Sequence, residues 1–390
     1  MSWEKVRLGD VTDSCLGKML DQHKNKGDFH PYLANINVRW GNFELDNLPQ
    51  MRFEDSENER YGIQYGDLIV CEGGEPGRCA IWKEQIPNMK IQKALHRIRV
   101  HDCLDYRYLY YWFLWAGKRG ELEQYFTGST IKHMPGEKLK SIVIDMPPLN
   151  TQRYIASILS AYDNLIENNQ KQIKLLEEAA QRLYKEWFID LRFPGWENTK
   201  IVDGVPEGWE KLPLSSFADI VMGQSPKSEF YNTTHDGIPF HQGVGSYGKR
   251  FVVDNIFSNS YARIAEAGSI LFSVRAPVGR LNITKNKIAI GRGLAALNHK
   301  KGYQSFLFYL LKDRFFKDDL LGNGSIFASI SKNELYNQVF IVPNNFLANQ
   351  FNIIVSNIDR KISIIDEQLN RLVKTRDRLL SKLMNAEMEV

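Results

Sequence analysis

Residues 152–188 and 350–383 carry hydrophobic positions that recur every seven residues, and neither stretch contains proline or glycine. Two apolar columns offset by three and four residues form the a/d seam of a coiled coil, so each stretch predicts a long helix. The columns of the first helix are Ile155, Tyr162, Asn169, Leu176, Leu183 and Leu159, Ile166, Ile173, Ala180, Trp187. The columns of the second are Phe351, Ile358, Ile365, Leu372, Leu379 and Val355, Ile362, Leu369, Arg376, Leu383.

The two helices match each other position by position. Every column residue of the second helix lies 196 positions after its counterpart in the first, and Asp163 and Asp359 coincide at the same offset. A helix this long cannot bury its apolar stripe alone, and the second copy supplies a partner. We therefore predict an internal duplication in which the two helices pair with each other.

The duplication extends into the residues that precede each helix. The segment that starts at Trp3 recurs 206 positions later at Trp209, the aromatic run at Tyr108 recurs 198 positions later at Phe306, and Pro147 recurs at Pro343. This drift of the offset is typical of two copies of one fold whose loops differ in length. The predicted order is a globular unit at 1–150, a helix at 151–190, a connector rich in Pro and Gly at 191–208, a second globular unit at 209–345 and a second helix at 346–385.

Inside each globular unit, short β-branched and aromatic runs alternate with turns that contain Gly and Pro, which predicts strands. One helix is predicted within each unit, at 106–124 and 305–321. The fold class is therefore α+β, with a mainly antiparallel sheet in each copy. Because the short connector ties the second unit to the end of the first helix, the two helices should run antiparallel. At 1.5 Å per residue they would form a rod of roughly 55 Å, with the units at its ends related by an approximate two-fold axis.

Composition narrows the class of protein. The chain is 43% hydrophobic and 25% charged, as in ordinary soluble proteins, and no apolar run is long enough to span a membrane. The cysteines Cys15, Cys71, Cys79 and Cys103 form no C-x-x-C pair, so we expect reduced thiols and a cytoplasmic location. The net charge of +4 permits nucleic-acid binding without requiring it.

The connector that ends in Pro206-Glu207-Gly208-Trp209, the run from Ser273 to Gly279 (Ser-Val-Arg-Ala-Pro-Val-Gly) and the two-fold repeat resemble the specificity subunit of type I restriction–modification systems. The resemblance covers essentially the whole chain. It implies two target-recognition domains, two spacer helices and an adaptor that binds double-stranded DNA. It also implies methyltransferase (modification) subunits and, through the complex, motor-nuclease (restriction) subunits as partners.

The first unit departs from this pattern. Its counterpart of the run from Ser273 to Gly279 is Cys71-Glu72-Gly73-Gly74-Glu75-Pro76-Gly77, which carries two acids. The two units should therefore read different bases, which predicts a bipartite, asymmetric target with an unread spacer. Half-sites that are read from one face of B-DNA lie about 34–36 Å apart, a distance compatible with the predicted rod.

Basic and polar side chains near the turns are the candidate DNA contacts, because Arg and Gln can reach base edges and Lys can hold phosphates. In the first unit they are Lys18, Lys24, Lys26, Arg39, Arg78, Lys93, Lys132 and His133. In the second they are Gln224, Lys227, His241, Gln242, Lys249, Arg250, Arg275, Arg280 and Arg292. Residues 209–345 contain 16 Lys and Arg against 10 Asp and Glu, a net charge of +6, whereas residues 1–150 contain 20 against 21, a net charge of −1. The first unit alone should therefore bind DNA weakly.

The helices are candidate contacts for methyltransferase subunits, and the alternative is a rod that only separates the two units. The positions predicted for helix pairing and partner contact are Tyr162, Ile166, Asn169, Ile173, Leu176, Leu183, Trp187, Ile358, Ile362, Ile365, Leu369, Leu372, Arg376 and Leu379. Asn169 and Arg376 are polar residues in apolar columns, where a polar group can fix the register of a coiled coil or mark a second packing partner.

No motif indicates catalysis by this chain. Residues 243–248 fit G-x-G-x-x-G but precede a strand-like run rather than a helix, so the dinucleotide-binding reading fails in its context. The sequence has no G-x-x-x-x-G-K-[ST] loop, and its eight histidines show no metal-ligand spacing. We expect no cofactor, no metal and no enzyme activity. Two other readings remain: a coiled-coil scaffold whose units bind proteins, and an enzyme whose site the sequence does not reveal.

Overall fold

The computed structural model describes residues 3–21, 25–315 and 329–388. Its contacts divide the chain into two compact units. Unit 1 comprises the residues up to Gln170 together with those from Glu367 onward, and unit 2 comprises Lys171–Asp366. Each unit contains one globular domain and part of each long helix. We call the globular parts domain 1 and domain 2.

Unit 1 begins with the elements of domain 1. Its strands are β1 (Glu4–Arg7), β2 (Thr12–Leu16), β3 (Asp28–Leu33), β4 (Val38–Arg39), β5 (Asn42–Phe43), β6 (Gln50–Phe53), β7 (Leu68–Cys71), β8 (Cys79–Ile81), β9 (Lys90–Ile91), β10 (Leu95–Val100) and β11 (Val143–Met146). Its helices are α1 (Asn58–Tyr61), α2 (Tyr106–Lys118) and α3 (Gly136–Lys140), after which the long helix α4 (Leu149–Tyr184) leads into unit 2.

Unit 2 repeats this plan after a connector hairpin. The strands are β12 (Ile201–Val202), β13 (Val205–Pro206), β14 (Glu210–Pro213), β15 (Ala218–Met222), β16 (Tyr231–Asn232), β17 (Ile238–His241), β18 (Phe257–Ser258), β19 (Ile264–Ala265), β20 (Ile270–Ser273), β21 (Leu281–Ile283), β22 (Ile288–Ile290), β23 (Leu294–His299) and β24 (Val339–Val342). The helices are α5 (Leu214–Phe217), α6 (Gln304–Phe315), α7 (Lys332–Tyr336) and the second long helix α8 (Asn345–Met384).

The main sheets of the two domains share one topology. The main antiparallel sheet has the strand order β2-β10-β7-β8 in domain 1 and β15-β23-β20-β21 in domain 2. In each domain a parallel pair, β3 with β9 or β17 with β22, belongs to a second sheet, and the first and last strands pair with each other. The equivalent strands β2 and β15 start 206 residues apart, and α4 and α8 start 196 residues apart. These offsets equal those of the sequence repeat, so the duplicated α+β fold is confirmed.

One apolar helix forms the centre of each domain. In α2 every residue from Tyr108 to Ala116 is buried, and the carboxylate of Asp105 caps the helix by accepting from the backbone N–H groups of Arg107 and Tyr108. The predicted helix at 106–124 is shorter in the structure, because Gly120 adopts a positive φ of 74° just beyond Lys118. The counterpart α6 is described as far as Phe315, and the predicted residues 316–321 lie outside the described part of the chain.

The long helices pack on each other in opposite directions within each unit. In unit 1, Ile155 and Leu159 near the start of α4 share a core with Leu380 and Leu383 near the end of α8. In unit 2 the order is reversed. Phe351, near the start of α8, packs with its ring centroid 5.8 Å from that of Tyr184, at the end of α4. The predicted antiparallel pairing is confirmed.

Two further observations concern the state of the cysteines and the possibility of a membrane-spanning helix. All four cysteines are free thiols, and burial raises the pKa of Cys71 to about 11 although the neighbouring Arg78 opposes this shift. Among the described residues, no helix is both long enough and apolar enough to cross a membrane.

A buried histidine in unit 2 should make stability depend on pH. Burial, with a contribution from Lys301, lowers the pKa of His299 to about 4. The unfolded chain takes up this proton near pH 6.5 and the folded chain does not, so stability should fall as the pH decreases from about 6.5 to about 4. We expect this histidine to account for roughly 2 kcal/mol after partial solvent screening.

Urea unfolding of the parent chain and of His299→Gln at pH 7 and near pH 4.5 measures this contribution. The stability advantage of the parent over the variant should shrink at the lower pH. An advantage of equal size at both pH values would contradict the assignment.

Candidate nucleic-acid interface

The loops at one end of the strands of each main sheet lie close together. In domain 2, β23 is antiparallel to both β15 and β20, so the end of β15, the end of β20 and the start of β23 meet. The segments that meet there are 223–225, 274–280 and 291–293, and the residues 242–246 that follow β17 join them. We call these segments the loop edge of domain 2. The loop edge of domain 1 comprises the equivalent segments 17–18, 72–78 and 92–94.

Glycines allow the backbone segments of the loop edge to touch. The N–H of Gly223 donates to the carbonyl of Leu294 at 2.9 Å, and the N–H of Gly293 donates to that of Gln242 at 3.2 Å. A Cβ on Gly223 would lie 2.1 Å from the carbonyl oxygen of Gly291, and one on Gly293 would lie 2.5 Å from that of Gln242. Any side chain at either glycine would push the segments apart, so the loop edge is a fixed platform rather than a set of independent loops.

Domain 2 presents polar side chains on this platform. Gln224, Gln242, Arg275 and Arg292 are exposed. The hydroxyl of Ser225 donates to Gln242 Oε1 at 2.8 Å and accepts from the Arg292 backbone N–H at 3.1 Å, which ties three of the segments together. No acidic side chain among the described residues pairs with Arg275 or Arg292. Their guanidinium groups are therefore available for base edges or phosphates.

Two predicted contacts of domain 2 lie in the interior instead, and the prediction for them needs correction. His241 is 1% exposed, and its ring nitrogens bind the Ser246 hydroxyl at 2.7 Å and the Asp254 carboxylate at 2.9 Å. Arg250 is 5% exposed and forms ion pairs with Glu177 and Asp359. Neither side chain can reach DNA in this conformation. His241 instead holds the segment 242–246 in place.

The other predicted residues of domain 2 lie at the surface or partly below it. Lys227 and Lys249 are exposed, and Lys227 has Glu229 at 3.7 Å. Arg280 is half-buried at the end of the loop edge, where its backbone N–H donates to the Ser273 hydroxyl at 2.8 Å. The G-x-G-x-x-G segment forms a short 3-10 turn at Val244–Ser246 and no long helix, as its sequence context predicts.

The loop edge of domain 1 has the same backbone connections. The N–H of Gly17 donates to the carbonyl of Leu95 at 2.9 Å, as that of Gly223 does to Leu294 in domain 2. The N–H of Glu72 donates to the carbonyl of Ala94 at 2.8 Å, as that of Val274 does to Gly293 at 2.9 Å. The Lys18 side chain points inward, however, and binds the Arg52 carbonyl and the Glu57 carboxylate while remaining 3% exposed. This corrects the prediction that Lys18 contacts DNA, and it shows that part of the acidic cluster at 54–59 neutralises a buried amine.

Acidic side chains pair with three of the remaining predicted basic residues of domain 1. Arg39 forms a bidentate pair with Glu44 at 3.0 and 2.9 Å, Arg78 binds Glu75 at 2.9 Å, and Lys132 lies 3.5 Å from Glu123. Lys93 is half-buried, Lys26 and His133 are exposed, and Lys24 lies outside the described residues. Domain 1 therefore presents less free positive charge than domain 2, in line with its net charge of −1.

The long helices carry a second candidate surface. Each helix position predicted for pairing and partner contact, from Tyr162 to Leu379, is buried or half-buried, so these side chains mainly face the packed side. The exposed apolar residues of the long helices lie outside the two apolar columns of the heptad pattern. They are Tyr154, Leu165, Leu175, Phe346, Ile353, Ile354 and Ile364.

Two copies of one α+β domain that present different side chains on the same loop edge define a two-domain recognition protein. Comparison with known proteins gives the family. The family model described as the type I restriction modification DNA specificity domain matches residues 1–178 and 206–374. The chain therefore belongs to this family.

Individual relatives agree with this assignment. The MjaX specificity subunit of Methanocaldococcus jannaschii is 35% identical over 65% of this chain, and the match spans 61% of that relative. The type I restriction enzyme MjaIX specificity subunit of the same organism is 28% identical over 83% of this chain and 78% of its own length. The crystal structure of the type I restriction-modification system S subunit from M. genitalium superposes with a TM-score of 0.62, at 20% identity, over 98% of this chain and 96% of that one. At that identity the superposition supports the fold alone.

Proposed function

We propose that this chain is the DNA-specificity subunit of a type I restriction–modification complex, in which each domain reads one half of a bipartite, asymmetric target in double-stranded DNA. One observation carries the proposal: the loop edge recurs in both domains with equivalent backbone hydrogen bonds and different side chains. A shared platform with different side chains is what two readers of different base sequences need. The long helices that link the readers set the length of the unread spacer.

Methyltransferase subunits are the proposed partners of the helices. The exposed apolar residues Leu165, Leu175, Ile354 and Ile364 support this proposal, because apolar side chains on an otherwise charged helix surface are typical of interaction sites. Restriction subunits would join through the assembled complex, in the cytoplasm. Catalysis belongs to those partners in this proposal, and the isolated chain should not methylate DNA when a methyl donor is supplied.

Arg292 provides the direct test of the loop edge. Arg292→Gln removes one exposed guanidinium from the platform, and we expect binding to the target DNA to weaken about tenfold or more, the effect of losing one bidentate base contact. Binding should also fall steeply with salt, because phosphate contacts release counterions. Titration of the full chain, assembled with its methyltransferase subunits, with labelled target DNA at several salt concentrations measures both effects.

Lys301→Gln is the matched control, because it also removes one positive charge. Lys301 lies beyond the end of β23, whereas the loop edge lies at the start of that strand. Its binding should stay close to that of the parent. Equal losses for both variants would exclude the loop edge as the DNA interface. Binding that is insensitive to salt would favour the scaffold reading, in which the domains bind proteins.

A further inference from the structure

A half-buried aspartate joins each domain to the long helices, at equivalent positions of the repeat. In unit 1 the carboxylate of Asp163 accepts from the Tyr111 hydroxyl at 2.7 Å and pairs with Arg376 at 2.6 Å. In unit 2 the carboxylate of Asp359 pairs with Arg250 at 2.5 Å, and the Tyr309 hydroxyl lies 3.5 Å away. Each aspartate with its tyrosine and arginine is called an anchor here, anchor 1 in unit 1 and anchor 2 in unit 2.

The two anchors differ in the origin of the guanidinium group. In anchor 1 the guanidinium belongs to Arg376, which lies on the long helix α8 and not in domain 1. The repeat counterpart of Arg376 is Ala180 on α4, which is completely buried and carries no charge. In anchor 2 the guanidinium comes instead from Arg250, which belongs to domain 2 and also reaches Glu177 on α4 at 3.2 Å.

The position of Arg250 in domain 1 is occupied by a glycine. The bridge between Tyr247 and Val252 corresponds to the pairing of Val38 with Phe43, so Arg250 is equivalent to Gly41. The Arg250 guanidinium carbon lies 4.6 Å from the ring centre of Phe308. A Cβ on Gly41 would lie 2.4 Å from the hydroxyl of Tyr110, the counterpart of Phe308. Domain 2 therefore carries an arginine at this position of the hairpin, whereas domain 1 has a glycine there and no room for a side chain.

The surroundings of anchor 1 fit this exchange. A cavity of about 310 Å³ is lined by Trp40, Glu75, Tyr110, Leu114, Gly117, Lys118 and Arg376. It adjoins the tip of the hairpin formed by β4 and β5, the part of domain 1 that corresponds to the Arg250 hairpin. Gly41 at this tip leaves room for the arginine that α8 supplies. In anchor 2 the small Ala180 leaves the corresponding room on the helix for an arginine that the domain supplies.

We propose that each anchor fits only one of the two domains and holds that domain in the orientation needed to read its half-site. Domain 1 requires an arginine on the helix, whereas domain 2 supplies its own arginine. This inference rests on the proposed function and names the residues that set the orientation. Arg250, Asp359, Asp163 and Arg376 are positioning residues, because they contact the domain–helix junction and not DNA. Domain 1 placed after the connector would leave Asp359 without a guanidinium, and domain 2 placed first would bring a second guanidinium to Asp163.

A double-mutant cycle in the full chain tests the exchange. Arg250→Ala leaves the Asp359 carboxylate without a guanidinium partner. We expect the Tm to fall by roughly 6 °C or more, because this charge then lies in a largely buried site without its ion-pair partner. Ala180→Arg alone should also lower the Tm, since two guanidinium groups then compete for the space beside Asp359. The double variant Arg250→Ala with Ala180→Arg reproduces the arrangement of anchor 1 and should recover most of the loss. Arg263→Ala, an exposed residue of domain 2, is the control and should leave the Tm unchanged.

The complex with methyltransferase subunits gives the second readout, the spacer lengths of methylated targets. Arg250→Ala should allow methylation of targets whose spacer differs by one base pair while the bases of both half-sites stay the same, and the double variant should restore the parent spacer. A double variant no more stable than the weaker single variant would overturn the anchors. A recovered Tm together with an unchanged spacer in Arg250→Ala would overturn their positioning role. The Tm cycle does not depend on DNA, so failure of the proposed function would leave it intact.

Discussion

Replacement of residues 209–345 by the recognition domain of another specificity subunit is expected to change one half of the DNA target completely and to leave the other half unchanged. The exposed side chains Gln224, Gln242, Arg275 and Arg292 all lie within the exchanged segment. The hydrogen bonds that fix them, from Ser225 to Gln242 and from Arg292 to Ser225, also begin and end there. Domain 1 has its own loop edge, closed by its own glycine at position 17. Nothing that reads the first half-site is therefore removed.

The measurement is co-expression of the hybrid chain with the methyltransferase subunits, followed by mapping of the methylated bases across the genome. The donor domain should be tested twice, once with arginine and once with alanine at the position of Arg250, so that a poorly seated domain is distinguished from a domain with another specificity. Only the form with arginine should give a sharp new half-site with the original spacer. A hybrid that alters both half-sites would show that the domains do not read independently.

The repeat made most of the fold predictable. Sequence offsets of 206 at the start of each copy and 196 at the long helices are reproduced by β2 with β15 and by α4 with α8. A repeat constrains a fold strongly, because two divergent copies must satisfy the same packing, and the positions that agree are those that the packing fixes. The end of α2 was missed because Gly120 stops the helix, while the apolar pattern that predicted its length continues beyond it.

The candidate site was less predictable, because charge and turn context do not show which way a side chain points. Lys18 and Arg250 look like surface residues in the sequence, yet their acidic partners lie 39 and 109 residues away along the chain. Only the folded backbone brings Glu57 and Asp359 beside them. Ser225, which ties the segments of the loop edge together, also carried no signal on its own. A comparison of the two copies does indicate that Arg376 has a special role, because its repeat counterpart is Ala180 and the apolar columns otherwise match.

Insertion of one heptad into each long helix is expected to lengthen the spacer of the DNA target. The insertion points should be equivalent in the repeat, after Gln170 in α4 and after Asp366 in α8, so that the apolar columns stay in phase. Seven residues add about 10.5 Å of helix, which corresponds to roughly three base pairs of B-DNA. Insertion of a heptad into α4 alone shifts its register against α8 and should abolish methylation of any defined target. This variant is the control for the effect of added residues as such.

The twist of DNA makes the prediction sharper. Three extra base pairs turn the second half-site by about 100°, because B-DNA completes a turn in about 10–10.5 base pairs. The one-heptad chain should therefore methylate its longer target less efficiently than the parent chain methylates its own. Three heptads in each helix add about 32 Å, close to one full turn, and should restore efficient methylation with a spacer about nine or ten base pairs longer. If the mapped spacer keeps its original length in both chains, the helices do not measure the distance between the half-sites.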